Sequence, residues 1–125
     1  MTQTPESITR EEGAPATLSW ERRKACLLIT MGREGQPLRI GEALVRDLDR
    51  ALDEAAHDPL CRMVVLRSRA ESFCLGMDFA DVTRKASDTG AQAEHAALFM
   101  RLLRRIGDHC CVVVAVVEGR ALGGE

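Results

Sequence analysis

Residues 111–117, Cys-Val-Val-Val-Ala-Val-Val, are an uninterrupted apolar run dominated by β-branched side chains. Such side chains are stiff at χ1 and fit a pleated surface. A strand that is apolar at every position needs cover on both faces, which is the situation of a strand inside a parallel sheet. The run is far too short to cross a bilayer, which takes about 20 apolar residues. The chain is therefore constrained to a layered α/β arrangement, with this strand as its strongest element.

The other periodicities agree. Residues 17–20 and 25–31 read as two strands of a hairpin, with the charged Glu21-Arg-Arg-Lys24 as the turn. Residues 32–37 form a loop rich in Gly and Pro. A helix is predicted over 41–56, where Leu44, Leu48 and Leu52 recur every four residues and Val45 and Ala55 widen the stripe. Glu42 and Arg46 make a favourable pair on its wet face, and Asp58-Pro59 ends it. Residues 62–66 form a second short apolar strand, suited to the middle of a parallel sheet. Residues 83–90 are polar and read as loose. A second helix is expected over 91–106, with Leu98, Phe99, Leu102, Leu103 and Ile106 on one face and Gly107 as its stop. The order is strand, helix, strand, helix, strand, joined by parallel crossovers. Residues 1–16 are polar, hold Pro5, Gly13 and Pro15, and read as a mobile N-terminal tail to a domain over 17–125.

Composition excludes several functions. The net charge is −2 and there are only four aromatic residues, none of them Tyr, so a nucleic-acid-binding surface is not expected, either by charge or by base stacking. No signal peptide or membrane span is visible, and a cytoplasmic protein is the expectation. Cys26, Cys61, Cys74, Cys110 and Cys111 are odd in number and contain no C-x-x-C pair, so they read as reduced thiols, without the regular spacing of a zinc site. No metal ligand is assigned. His57, His95 and His109 read as surface or capping residues, and Arg101, Arg104 and Arg105 as a wet helix face. Arg22, Arg23 and Lys24 carry two readings: a solvated turn, or contacts to the phosphates of a coenzyme or carrier arm.

The chemistry concentrates in two places. Glu71-Ser-Phe-Cys-Leu-Gly-Met-Asp-Phe79 follows the first apolar strand, and Glu118-Gly-Arg-Ala-Leu-Gly-Gly124 follows the second. Each is a glycine-containing turn, which leaves backbone N–H groups to point at a ligand. Two such turns facing each other can hold an oxygen on which negative charge develops, as in the enolate of an acyl thioester.

Phe73-Cys-Leu-Gly-Met-Asp78 and Ala121-Leu-Gly-Gly124 resemble the two signature segments of the crotonase family, the enoyl-CoA hydratases and isomerases. The resemblance runs from about Ser19 to the end of the sequence. It implies an α/β fold of the crotonase-like ββα spiral type, present as its N-terminal portion. It implies hydration, dehydration or isomerisation of an acyl thioester, with the N–H groups of Met77 and Gly124 as the oxyanion hole. Cys74, Leu75, Gly76, Asp78, Phe79, Leu122 and Gly123 would line the substrate, although Asp78 reads more simply as a backbone cap, and the Met77 and Phe79 side chains fit an acyl pocket and an ordinary core equally well. The substrate carrier would be coenzyme A or the phosphopantetheine of an acyl carrier protein, with no permanently bound cofactor. The Gly76-Met-Asp-Phe79 wording is most similar to members that dehydrate a branched acyl group on an acyl carrier protein in polyketide pathways. Assembly as a homo-oligomer, a trimer or hexamer, is implied, without nucleic acid or membrane partners. The sequence departs from the family pattern at Ala80, where many members have lysine, at Glu125, where many have a third glycine, and over Arg39-Ile-Gly-Glu-Ala-Leu44. The family's acid and base side chains correspond to positions after Glu125. A second reading of the chain is thus a non-catalytic fragment or subunit that binds a partner or an acyl carrier.

Overall fold

A computed structural model of the chain describes residues 6–7, 18–36, 38–69, 73–74 and 89–121. Five strands form one sheet in the order β1-β2-β3-β4-β5: Glu6–Ser7, Leu18–Arg23, Cys26–Met31, Met63–Ser68 and Val112–Ala115. Helix α1, Glu42–His57, connects β3 to β4, and helix α2, Thr89–Gly107, precedes β5. The β1–β2 and β2–β3 pairs are antiparallel, whereas β3–β4 and β4–β5 are parallel. Strand β4 therefore lies between two parallel neighbours, as its composition requires. Two residues of the N-terminal segment, Glu6 and Ser7, pair with Trp20 and Ser19.

The hairpin turns more tightly than the sequence suggests. Glu21, Arg22 and Arg23 are strand residues opposite Leu28, Leu27 and Cys26, which leaves Lys24 and Ala25 as the turn. Lys24 takes φ of +52°, the left-handed conformation that short hairpin turns ask for. The charged residues remain in the strand because their charges find partners: Arg22 pairs with Asp58 beyond the end of α1, and Arg23 with Glu21.

Helix α1 buries Leu44, Val45, Leu48, Ala51, Leu52 and Ala55 along one stripe and packs on α2 and β2. Arg46 donates to Glu42 on its outer face, from Nε at 3.0 Å and Nη2 at 2.8 Å. The helix stops at His57. The Asp58 N–H closes the last turn on the Ala55 carbonyl, and Pro59 follows. In α2, Leu102 is buried while Leu98, Phe99 and Ile106 pack at the core margin. Leu103, expected on the same face, lies on the rim at 38% exposure, because the apolar stripe is narrower than the five residues that suggested it. Arg105 is not a wet-face residue. It donates to Asp49 at 2.8 Å and to Asp53 at 3.2 Å, both on α1, and so clamps the two helices together.

The register divides the sheet into two faces. Leu27, Val64 and Val113 form one row, and Ile29 and Leu66 belong to the next; these point into the core, where Ile29 and Val64 are fully buried. Each fully buried side chain of this size contributes about 1.5–3 kcal/mol. The rows Cys26-Met63-Val112 and Leu28-Val65-Val114 point the other way. On that face Met63, Val112 and Val114 are exposed, and Val116 continues the apolar surface. Among the described residues, the strongest apolar strand thus has cover on one side only.

Candidate functional site

Because β3, β4 and β5 run parallel, the sheet has an amino end, marked by Cys26, Met63 and Val112, and a carboxyl end, marked by Met31 and Ser68. Both signature segments leave from the carboxyl end. The Val116 N–H donates to the Leu66 carbonyl at 2.8 Å and carries β5 one residue past its strand, and Gly119 then turns the chain with φ of +75°. From the β4 side, the Arg69 N–H donates to Met31 at 2.9 Å before the chain reaches Phe73 and Cys74, both buried.

The two segments meet. Cys74 and Ala121 form a parallel bridge outside the named strands, and the Cys74 N–H donates to the Arg120 carbonyl at 3.1 Å. Of the residues singled out for the site, Cys74 is therefore brought directly against the second segment. Met77, Gly124, Leu75, Gly76, Asp78, Phe79, Leu122 and Gly123 lie outside the described residues, as do Ala80 and Glu125.

Beside this junction is a cleft of about 440 Å³. Val65, Phe73 and Val116 give it an apolar floor, and Arg67, Arg69 and Glu118 give it charge. Arg67 is held by its Nε–H, which donates to Thr30 Oγ1 at 2.9 Å. An apolar cleft with a few convergent polar groups suits an apolar ligand with an anionic end. Sequence reasoning missed Arg67 and Arg69. The available signal was their position: they alternate with Leu66 and Ser68 just where the strand gives way to the first turn.

The basic run at the hairpin is at the other end of the sheet. Arg22 is half-buried and committed to Asp58, with its Nε–H donating to the Lys24 carbonyl at 2.9 Å, and Arg23 is paired with Glu21. The turn they flank precedes β3, far along the strands from Cys74 and Ala121. Two thiols at that same amino end titrate high. Burial, and then hydrogen bonding with Cys61, push the Cys111 thiol up to about 12. Burial, and then the neighbouring Cys61, raise Cys26. None of the five cysteines is joined in a disulfide. His109 has a positioning role there: its Nε2–H donates to the Leu52 carbonyl at 2.8 Å, and its Nδ1 accepts from the Cys111 N–H at 3.0 Å. No helix among the described residues is long and apolar enough to cross a membrane.

Comparison with known proteins agrees with this geometry. The model of the enoyl-CoA hydratase/isomerase family matches residues 21–125. Enoyl-CoA hydratase EchA19 of Mycobacterium tuberculosis is 28% identical over 117 residues, which are 93% of this chain and 43% of that protein. A relative from Thermus thermophilus is 36% identical over 77 residues, 60% of this chain and 30% of its own length. The solved structure of an enoyl-CoA hydratase/isomerase from Marinobacter aquaeolei superposes with a TM-score of 0.78 at 26% identity, covering 86% of this chain and 43% of that one. The chain thus spans less than half the length of the relatives it matches.

Proposed function

The chain belongs to the enoyl-CoA hydratase/isomerase family, and from that premise we propose that residues 17–125 are the N-terminal part of a crotonase-like domain whose whole acts on an acyl thioester. The reaction is hydration, dehydration or double-bond isomerisation through an enolate. This segment contributes its polarising half: the N–H groups of Met77 and Gly124 hold the thioester oxygen as charge moves onto it.

One observation carries the reading. The Cys74–Ala121 bridge sets the two signature segments side by side in the same direction. Met77 is three residues after Cys74, and Gly124 three residues after Ala121. A register that continues unchanged brings the two donors opposite each other. Each donor aimed at a developing oxyanion in a dry site is worth about 3 kcal/mol, or roughly 100- to 1000-fold in rate. The cleft beside the bridge has room for an acyl group, and Arg67 and Arg69 suit the phosphates of coenzyme A or phosphopantetheine. The Gly76-Met-Asp-Phe79 wording favours a branched acyl group on an acyl carrier protein. The open apolar face of β4 and β5 favours assembly, as a trimer or pair of trimers.

Because the donors are main-chain groups, the test is to remove an N–H and leave the side chain's character aside. Turnover of crotonyl-CoA and of a carrier-bound 3-hydroxy-3-methylglutaryl group is followed by product mass, and binding of acetoacetyl-CoA by its enolate absorbance. Met77→Leu should change either signal by less than about threefold, whereas Met77→Pro and Gly124→Pro should lower them roughly 100-fold or more. A complete gene product that neither binds nor converts any of these thioesters, or in which the proline variants match the parent, refutes the proposal.

A further inference from the structure

Four of the five cysteines converge on the amino end of the sheet, opposite the candidate active site. Cys26 opens β3, Cys61 lies two residues before β4, and Cys110 and Cys111 lie immediately before β5. Nothing in their sequence spacing suggests this. It follows from the parallel register, which aligns Cys26, Met63 and Val112 in one row and so gathers whatever precedes them.

The convergence is close. The Cys111 Sγ–H donates to the Cys61 carbonyl at 3.3 Å, which sets these two residues side by side. One ligand atom each from His109, Cys110 and Cys111 lie within 4.8 Å of one another. A tetrahedral zinc ion, at about 2.3 Å from each sulfur, holds its ligand atoms roughly 3.8 Å apart, so small side-chain rotations close the set. The imidazole is already oriented as metal-bound imidazoles are. Its Nε2–H is anchored on the Leu52 carbonyl, which fixes the tautomer and leaves Nδ1 as the lone-pair atom facing the Cys110–Cys111 segment.

The geometry points to a Zn²⁺ site formed by Cys61, Cys110, Cys111 and His109 Nδ1 at the amino ends of β4 and β5. Ligation moves Nδ1 from the Cys111 N–H to the metal, and the three thiols release their protons to solvent as they bind. The resulting Cys3His centre carries one net negative charge. The surroundings suit it: His109 and Cys110 open on a cleft of about 300 Å³ that is also lined by Arg101, Arg104 and Arg105. Cys110 is exposed, so the ion has a way in. Such a centre staples the segment before β5 to the segment before β4, at the end of the sheet remote from the chemistry.

The test uses the reduced, metal-free full chain titrated with Co²⁺ as a spectroscopic stand-in, then with Zn²⁺. One equivalent should give thiolate-to-metal charge transfer and the intense d–d bands of tetrahedral cobalt, and Zn²⁺ should displace it and raise Tm. Cys110→Ser, at an exposed position that spares the core, should weaken binding more than about tenfold. Cys74→Ser, at the other end of the sheet, should leave the spectrum unchanged. Circular dichroism confirms that each variant is folded. Absence of thiolate bands in the parent chain, bands that survive Cys110→Ser undiminished, or equal loss in Cys74→Ser would overturn the assignment.

Discussion

The two faces of the sheet are built from similar residues and meet different fates. Ile29, Val64 and Leu66 point into a core closed by α1 and α2. Leu28, Val65 and Val114 sit one residue along the same strands, are equally aliphatic, and point at a surface where Met63, Val112 and Val114 remain exposed. An aliphatic strand reports that both faces are to be covered. It does not report which segment does the covering. On the closed face the cover is local, because α1 follows β3 directly. The open face is not covered by any of the described elements, although its side chains are of the same kind.

Substitutions on the two faces should separate these roles. The largest effect belongs to the closed face. Leu52→Ala removes a fully buried side chain where α1 meets the core, and should destabilise the fold by about 2–5 kcal/mol, measured by urea denaturation. A loss below 1 kcal/mol would mean that the core is less closed than its burial implies. Next comes the clamp above that face. Arg105→Ala breaks contacts to Asp49 and Asp53, and since the guanidinium is about one-third exposed, roughly 0.5–1 kcal/mol is expected. High salt should erase most of that difference, and a loss indifferent to salt would assign Arg105 to packing. The smallest stability change is expected on the open face. Val112→Lys should shift stability by no more than about 0.5 kcal/mol, yet lower self-association and dye binding measured by sedimentation and fluorescence. If it unfolds the chain instead, the two faces are equivalent and the comparison fails.

Much of this architecture is readable from residues alone, and the exceptions have physical causes. The stripe Leu44, Leu48, Leu52 and the brake at Asp58-Pro59 place α1 to within a residue at either end, because periodicity and proline geometry are local properties. The hairpin turn is misplaced by the same local logic. Glu21-Arg-Arg-Lys24 looks like a solvated turn, and what keeps Arg22 in the strand is Asp58, 36 residues away. Arg105 is misread for a like reason, its acidic partners lying on another helix. The site divides along the same line. Two glycine turns after two apolar strands are legible as a motif, and Cys74 and Ala121 do meet. The convergence of Cys61, Cys110 and Cys111 is not legible, since spacing along the chain says nothing about which strand starts lie side by side.

The contact from the Cys74 N–H to the Arg120 carbonyl joins main chain to main chain, outside the named strands. Its survival therefore does not depend on which side chains decorate the two loops. Exchange of that single amide proton with solvent is accordingly a clock for the parting of both loops at once, readable without any ligand bound.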